Sequence, residues 1–282
     1  MITEEDVKKV LEEYKKVLGK DLWLCDMENK ILASTLSIRD VFFHKALEGH
    51  LNKEEVLRQA EQLHLSEQTW KTLFLVQVEK GNKEDVLEIL QNFFPEDEQD
   101  FMLNYSDTDI LILKYWDDLS QVSENFVHSL LDTVEGDSYS KVIFSSSLPF
   151  LSWKELYKAG RQAKQTMQAG RFFYQELKFF KYENLKLERL VYNMSREQCA
   201  DFLEDSNNED VFGDKDLVNT ALALMDCQGN AAETARTLYV HRNTLNYRLE
   251  KIKRLTGLDI KKYKDAAQFQ MLVLVHQKIK KG

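Results

Sequence analysis

The run GNAAETARTLYVHRNTLNYRLEKIKRLTGLDI, residues 229–260, holds two helical patterns only a few residues apart. Asn230 stands at an N-cap with Glu233 three residues on, the spacing of a capping box, and Ala235 and Leu238 give residues 231–238 an apolar side. After Tyr239 and Val240, the residues Leu245, Leu249 and Ile252 recur at helical spacing and form one stripe; His241 occupies the N-cap position and Gly257 ends the helix. Upstream, residues 216–227 read as a short helix with Leu217, Val218, Ala221, Leu222 and Met225 on its apolar side and Gly229 as its stop. Downstream, residues 265–279 read as a further helix of this all-α module, which spans 216–282. Tyr239 sits where many such turns use Gly. A left-handed Tyr costs about 1–2 kcal/mol, so the sequence predicts a turn longer than the shortest type.

Two helices joined by a bend allow the second to lie in the major groove of duplex DNA while the first crosses the backbone. The residue types at the start of the second helix suit that task. Arg242 and Arg248 can fork onto guanine, Asn243 or Asn246 can pair with adenine, and Thr244 can meet a phosphate or a thymine methyl. The helix start at His241 also offers free N–H groups to a phosphate. Lys251, with Lys253 and Arg254, continues the same helix and is assigned to phosphate contact. On spacing alone, an amphipathic helix pair with surface Arg and Asn, or a protein-docking module, reads the same way.

Charge is divided unevenly along the chain. The whole sequence carries a net charge of −9, yet twelve Lys and Arg against six Asp and Glu lie from Asp216 onward, giving +6 there and −15 in the first 215 residues. Such asymmetry points to nucleic-acid contact through one end.

The same residues carry a family resemblance. The run Tyr239-Val240-His241-Arg242-Asn243-Thr244-Leu245, followed by Tyr247-Arg248-Leu249, resembles the C-terminal helix-turn-helix of the PucR/CdaR family of bacterial transcriptional regulators. The resemblance implies double-stranded DNA as partner, with His241, Arg242, Asn243, Thr244, Asn246, Tyr247, Arg248 and Lys251 as the contact set. It also implies a homodimer on a two-half-site operator, and permits control by a small-molecule effector.

Ahead of this module, strand-like and helix-like runs alternate from Lys71 in the order β-α-β-β-α-β-α, which predicts a ferredoxin-like or nucleotide-cyclase-like core within an α+β chain. Ser152 and Glu155 have capping-box spacing at the start of a helix. Residues 57–78 and SSSLPFLSWKELYKAGRQA (145–163) resemble the family's GGDEF-like central domain, here assigned to 71–199. The hairpin that would hold the name-giving motif reads Tyr105-Ser106-Asp107-Thr108-Asp109, without the glycines that let backbone approach a triphosphate. That departure predicts a degenerate domain, no catalytic residues, no cofactor and no metal. Nucleotide binding or cyclase-type signalling through this domain is the alternative reading.

Residues 1–70 form a small α/β segment: a helix over residues 3–18, a hairpin in DLWLCDMENKILAST (21–35), which resembles the first hairpin of a PAS-like or sugar-diacid sensor, and helices at 44–51 and 53–65. The segment is assigned to sensing or dimerisation. Residues 200–216 (ADFLEDSNNEDVFGDKD) are acidic and turn-rich, and read as a boundary.

The remaining composition excludes several classes. A hydrophobic content of 43% with 30% charged residues is that of a soluble globular chain, and no run approaches ~18 apolar residues, so no membrane span is expected. MITEEDVKKV lacks a signal-peptide pattern. Cys25, Cys199 and Cys227 lie far apart without a CxxC pair, which argues against a disulfide framework or zinc site and for a reducing cytoplasm. His44 and His50 do not share a helical face, so they are not read as a metal pair.

Overall fold

The computed structural model describes residues 23–25, 31–34, 37–93, 100–119, 124–204 and 209–281, together with Leu11. Apart from Leu11, the helix read over residues 3–18 lies outside the described residues, as do 27–29 of the first hairpin and 205–208 of the acidic stretch. The chain is mixed α+β and divides into two compact units, Met1–Gln168 with Glu176–Asn184, and Ala169–Gln175 with Leu185–Gly282.

In the first unit, β1 (Trp23–Cys25) and β2 (Ile31–Ser34) pair antiparallel, Leu24 opposite Ala33, as the two strand-like runs predict. Helix α1 (Ile38–Leu47) starts earlier than the sequence suggests, because Ser37 and Asp40 form a reciprocal capping box. Asn52 and Glu55 do the same for α2 (Lys53–Gln62).

The sheet of this unit holds β3 (Trp70–Lys80), β4 (Phe101–Asn104), β5 (Asp109–Trp116), β6 (Lys141–Ser146) and β7 (Phe179–Lys181) in the order β4-β5-β3-β6-β7. Every pairing is antiparallel except β6 with β7. Strand β7 had no counterpart in the sequence reading, since three residues are too few to show a period.

Alternation along β3 supplies two buried faces. Phe74 and Val76, with Ile110 and Ile112 of β5, pack against Val86 and Leu90 of α3 (Lys83–Gln91) and Val127, Leu130 and Val134 of α4 (Glu124–Asp137). On the other face Leu73 lies under α5 (Leu156–Phe173), where an added Cβ at Gly160 would come within 2.7 Å of Leu47 and 3.8 Å of Leu73. The Ser145 hydroxyl donates to the Ala163 carbonyl of α5 at 2.8 Å, so the serine run is a packing feature. Phe43 of α1 stacks on Phe101 of β4 at 4.3 Å, and Phe42 meets Trp153 edge-on. The helices of the N-terminal segment therefore share a core with the sheet. Ser152 caps a 3-10 turn, Trp153–Glu155, rather than a full capping box, because Glu155 N–H bonds to the Ser152 carbonyl at 2.9 Å.

Lys71 is fully buried at the edge of this second face. Its ammonium donates to the carbonyls of Thr69 and Leu151, both at 2.7 Å, and lies 4.8 Å over the Trp153 ring. Desolvation pushes its pKa down to about 8, against an upward pull from Glu67. The folded pKa thus lies below the unfolded value of 10.5, and between the two the unfolded chain binds more protons. Stability from this site is therefore lowest below about 8 and rises as pH climbs through that window. The melting temperature of the wild type relative to Lys71→Met should increase between about pH 7.5 and pH 10. A constant difference would refute the shift.

In the second unit, α6 (Lys186–Tyr192), α7 (Arg196–Glu204), α8 (Glu209–Gly213), α9 (Lys215–Asp226), α10 (Ala231–Thr237), α11 (Arg242–Thr256) and α12 (Tyr263–Lys281) follow one another. Part of the stretch read as a turn-rich boundary is thus helical. Its apolar residues explain this: Val211 is fully buried, and Phe212 meets Phe269 at 5.7 Å and His276 at 4.9 Å. Helix α12 carries two apolar sets. Phe269 and Val273 join the core of α8 to α11, while Leu274 and Val275 pack with Phe173, Val191 and Cys199.

Among the described residues no helix is long and apolar enough to cross a membrane, and no three His, Cys, Asp or Glu converge as a metal group would need.

Candidate nucleic-acid interface

Helices α9, α10 and α11 share one core, built from Leu217, Ala221 and Leu224, then Ala235, then Leu245, Leu249 and Ile252, and closed by Ile260 and Phe269. Each helix start is capped. Asp214 accepts from the backbone of Asp216 and Leu217, and Asn230 from Ala232 and Glu233, both at 3.2 Å. Glu233 reaches the Asn230 side-chain amide at 3.2 Å instead of its backbone, so the expected capping box is half formed. His241 caps α11 through Nδ1, which accepts from Asn243 N–H at 3.2 Å.

The bend between α10 and α11 is short, contrary to the expectation of a longer turn. Tyr239 takes the left-handed conformation itself, with φ of 54°, and its side chain is 96% exposed. Tyr239 N–H bonds to the Arg236 carbonyl at 3.1 Å and Val240 N–H to the Ala235 carbonyl at 3.0 Å, which is a Schellman motif. Val240 packs on the core that contains Ala235, and that contact offsets the strain at Tyr239. Tyr239→Gly relieves about 1–2 kcal/mol of left-handed strain and adds about 0.5–1 kcal/mol of chain entropy to lose. Urea denaturation should show this variant more stable than wild type by up to ~1 kcal/mol, and a loss of that size would contradict the assignment.

The eight residues proposed from sequence fall into two groups. Arg242, Asn243, Thr244 and Tyr247 are exposed and gathered on the first turns of α11, with Asn246 half-buried beside them and His241 at the cap. Arg248 and Lys251 turn instead toward α9. The Arg248 guanidinium pairs with Asp216 and donates to the Thr220 hydroxyl at 3.4 Å; the Lys251 ammonium bonds to Asp214 at 3.0 Å. The bond from Lys251 holds the Asp214 carboxyl below its ordinary pKa. Asp214, Asp216 and Thr220 were not among the site residues read from sequence, because partners 28 to 37 positions away leave no local spacing signal. Two exposed aromatics at helix boundaries, Tyr239 and Tyr263, were likewise not assigned a DNA contact.

Beyond α11 the surface is basic. Lys261, Lys262 and Lys264 are exposed, while the acids among them are engaged: Asp259 pairs with Lys253 at 3.3 Å and Asp265 accepts from Asp259 N–H at 2.9 Å.

Residues 217–275 match the family model of the PucR C-terminal helix-turn-helix domain. The PucR-type match covers most of α9, all of α10 and α11, and most of α12. Among similar proteins, a leucine-rich protein of Streptococcus dysgalactiae subsp. equisimilis is 37% identical over 59 residues, 21% of each chain. The purine catabolism regulatory protein of Bacillus subtilis is 44% identical over 48 residues, 17% of this chain and 9% of the relative. The chain thus spans about a fifth or less of the curated relatives it matches. A solved regulator of polyketide synthase expression from Bifidobacterium adolescentis is similar at 16% identity and a TM-score of 0.38, over 86% of this chain and 98% of that one.

The hairpin of the first unit has a different character. Asp109 accepts from Gln77 at 2.9 Å and from Thr108 at 3.2 Å, Lys83 bonds to Asn104 and to the Ser106 carbonyl, and Lys164 donates to the Tyr105 hydroxyl at 2.6 Å. His44 stacks on Tyr105 at 5.4 Å, whereas His50 pairs with Glu48.

Proposed function

We propose that this chain is a cytoplasmic DNA-binding transcriptional regulator whose reading element is the N-terminal half of α11. The observation that carries this is the coincidence, within the PucR-type match, of a capped helix start with an exposed cluster of Arg242, Asn243, Thr244 and Tyr247. Arg242 forks onto guanine, Asn243 and Asn246 address adenine, and Thr244 and the basic run Lys261–Lys264 contact phosphates. The chain binds as a homodimer, because one helix reads only a few base pairs and half-sites double that length.

The segments 1–70, 71–199 and 216–282 act as an input or pairing region, a scaffold and a DNA reader. The scaffold is a degenerate GGDEF-like, ferredoxin-like domain without enzymatic activity. The central order β4-β5-β3-β6 supports that fold, and supporting the loss of activity are the missing glycines and the engagement of Asp109 and Lys83 within the hairpin. Control by a small-molecule effector belongs to this reading as something the family resemblance permits.

Selection of duplexes from a random-sequence pool by the full chain, followed by binding measurements across a salt series, tests the proposal. A selected duplex should bind more tightly than a scrambled one, with affinity falling steeply as salt rises. Absent or salt-insensitive binding would sink it. Lys261→Ala should weaken both duplexes about equally and reduce the salt slope by about one.

A further inference from the structure

The second helix of the DNA reader is fastened to α9 by two cation–carboxylate links on one side. Arg248 and Lys251 are three residues apart and so share a face of α11. Both reach the first turns of α9, where Asp214 is the N-cap and Asp216 lies two residues on. Carboxylates are favoured at that end of a helix, and Asp214 is also held by the backbone N–H groups that it caps. Arg248 uses its two terminal nitrogens on residues one turn apart, Asp216 and Thr220, which fixes α11 both along and around the axis of α9. The Arg248 side chain is the covered member of the pair, 20% exposed against 68% for Asp216.

We propose that Arg248 and Lys251 are positioning residues. Through Asp216, Thr220 and Asp214 they set the angle at which α11 leaves α9, and hence where Arg242, Asn243 and Asn246 point; they do not neutralise phosphates themselves. This rests on the DNA-binding reading above. It makes two cations that the sequence assigns to DNA, Arg248 to guanine and Lys251 to phosphate, part of the internal frame of the domain.

Equilibrium binding of the full chain to a duplex selected by the wild type, and to a scrambled duplex, separates the two roles. Arg248→Lys keeps the charge but loses the two-pronged contact. Asp216→Ala breaks the pair from the side that never meets DNA. Each should lower the ratio of selected to scrambled affinity by about tenfold with the salt slope unchanged, since direction is lost and no phosphate contact is. Asp214→Asn keeps the cap acceptor and removes the charge pairing, and should give a smaller loss, about threefold. It keeps the cap that starts α9, so it decides the matter if melting curves show Asp216→Ala to be unfolded.

Tighter binding by Asp216→Ala to both duplexes, with a steeper salt slope, would overturn the proposal and make Arg248 a DNA contact held back by Asp216. Wild-type behaviour of all three variants would overturn it equally. Failure of the wild type to select any duplex is a different result, and removes the DNA-binding reading itself.

Discussion

Arg242→Ala is expected to reduce the preference for a selected duplex over a scrambled one by about 5- to 150-fold, the ~1–3 kcal/mol that a two-pronged contact to guanine contributes to discrimination. Arg242 is the first residue of α11, one place after the capping His241, and it is exposed. A side chain there leaves the helix at the end that enters a groove first. The same substitution should leave stability nearly unchanged, since it removes no buried contact. The contrast with Lys261→Ala is the sharp part: one variant changes which duplex is preferred, the other how tightly every duplex is held. Equal behaviour of the two would contradict the division between base reading and phosphate contact.

Phe269→Ala carries the largest expected loss of stability, about 3–5 kcal/mol. Its ring is fully buried in the core that α8 to α12 share, where it meets Phe212 and belongs to the same cluster as the α11 stripe of Leu245, Leu249 and Ile252. A loss of that size is comparable to the whole stability of many domains, about 5–15 kcal/mol. The second unit should therefore melt well below wild type, and binding to the selected duplex should disappear with it. The sheet unit has a separate core of Phe74, Val76, Ile110 and Ile112, so its own melting transition should stay in place. A single transition shifted as a whole would show that the two units unfold together.

These two substitutions also mark what was readable from residues alone. Arg242, Asn243 and the apolar stripe of α11 were legible because a helix repeats its faces every three or four residues, so core and surface can be told apart locally. The apolar run of β3 and the hairpin between β4 and β5 were legible from local signals too, the first by its strand length and the second by its polar turn. Helix α8 was not, because five residues show no period and its acidic surroundings resemble a linker. Only the fully buried Val211 and the stacked Phe212 reveal what holds it. The N-terminal helices had looked like a separate segment, yet Phe42 and Phe43 belong to the same aromatic cluster as Trp153, more than a hundred positions on.

The helix-turn-helix module of residues 217–275 is therefore a joint product. Its helices, caps and polar row follow from the order of residues 229–260, since each depends on neighbours within a few positions. The roles of Arg248 and Lys251 do not. A cation has no local preference between a phosphate and a carboxylate; what settles their direction in this chain is that packing brings Asp214 and Asp216 alongside, and attraction between charges acts on distance in space, not in sequence.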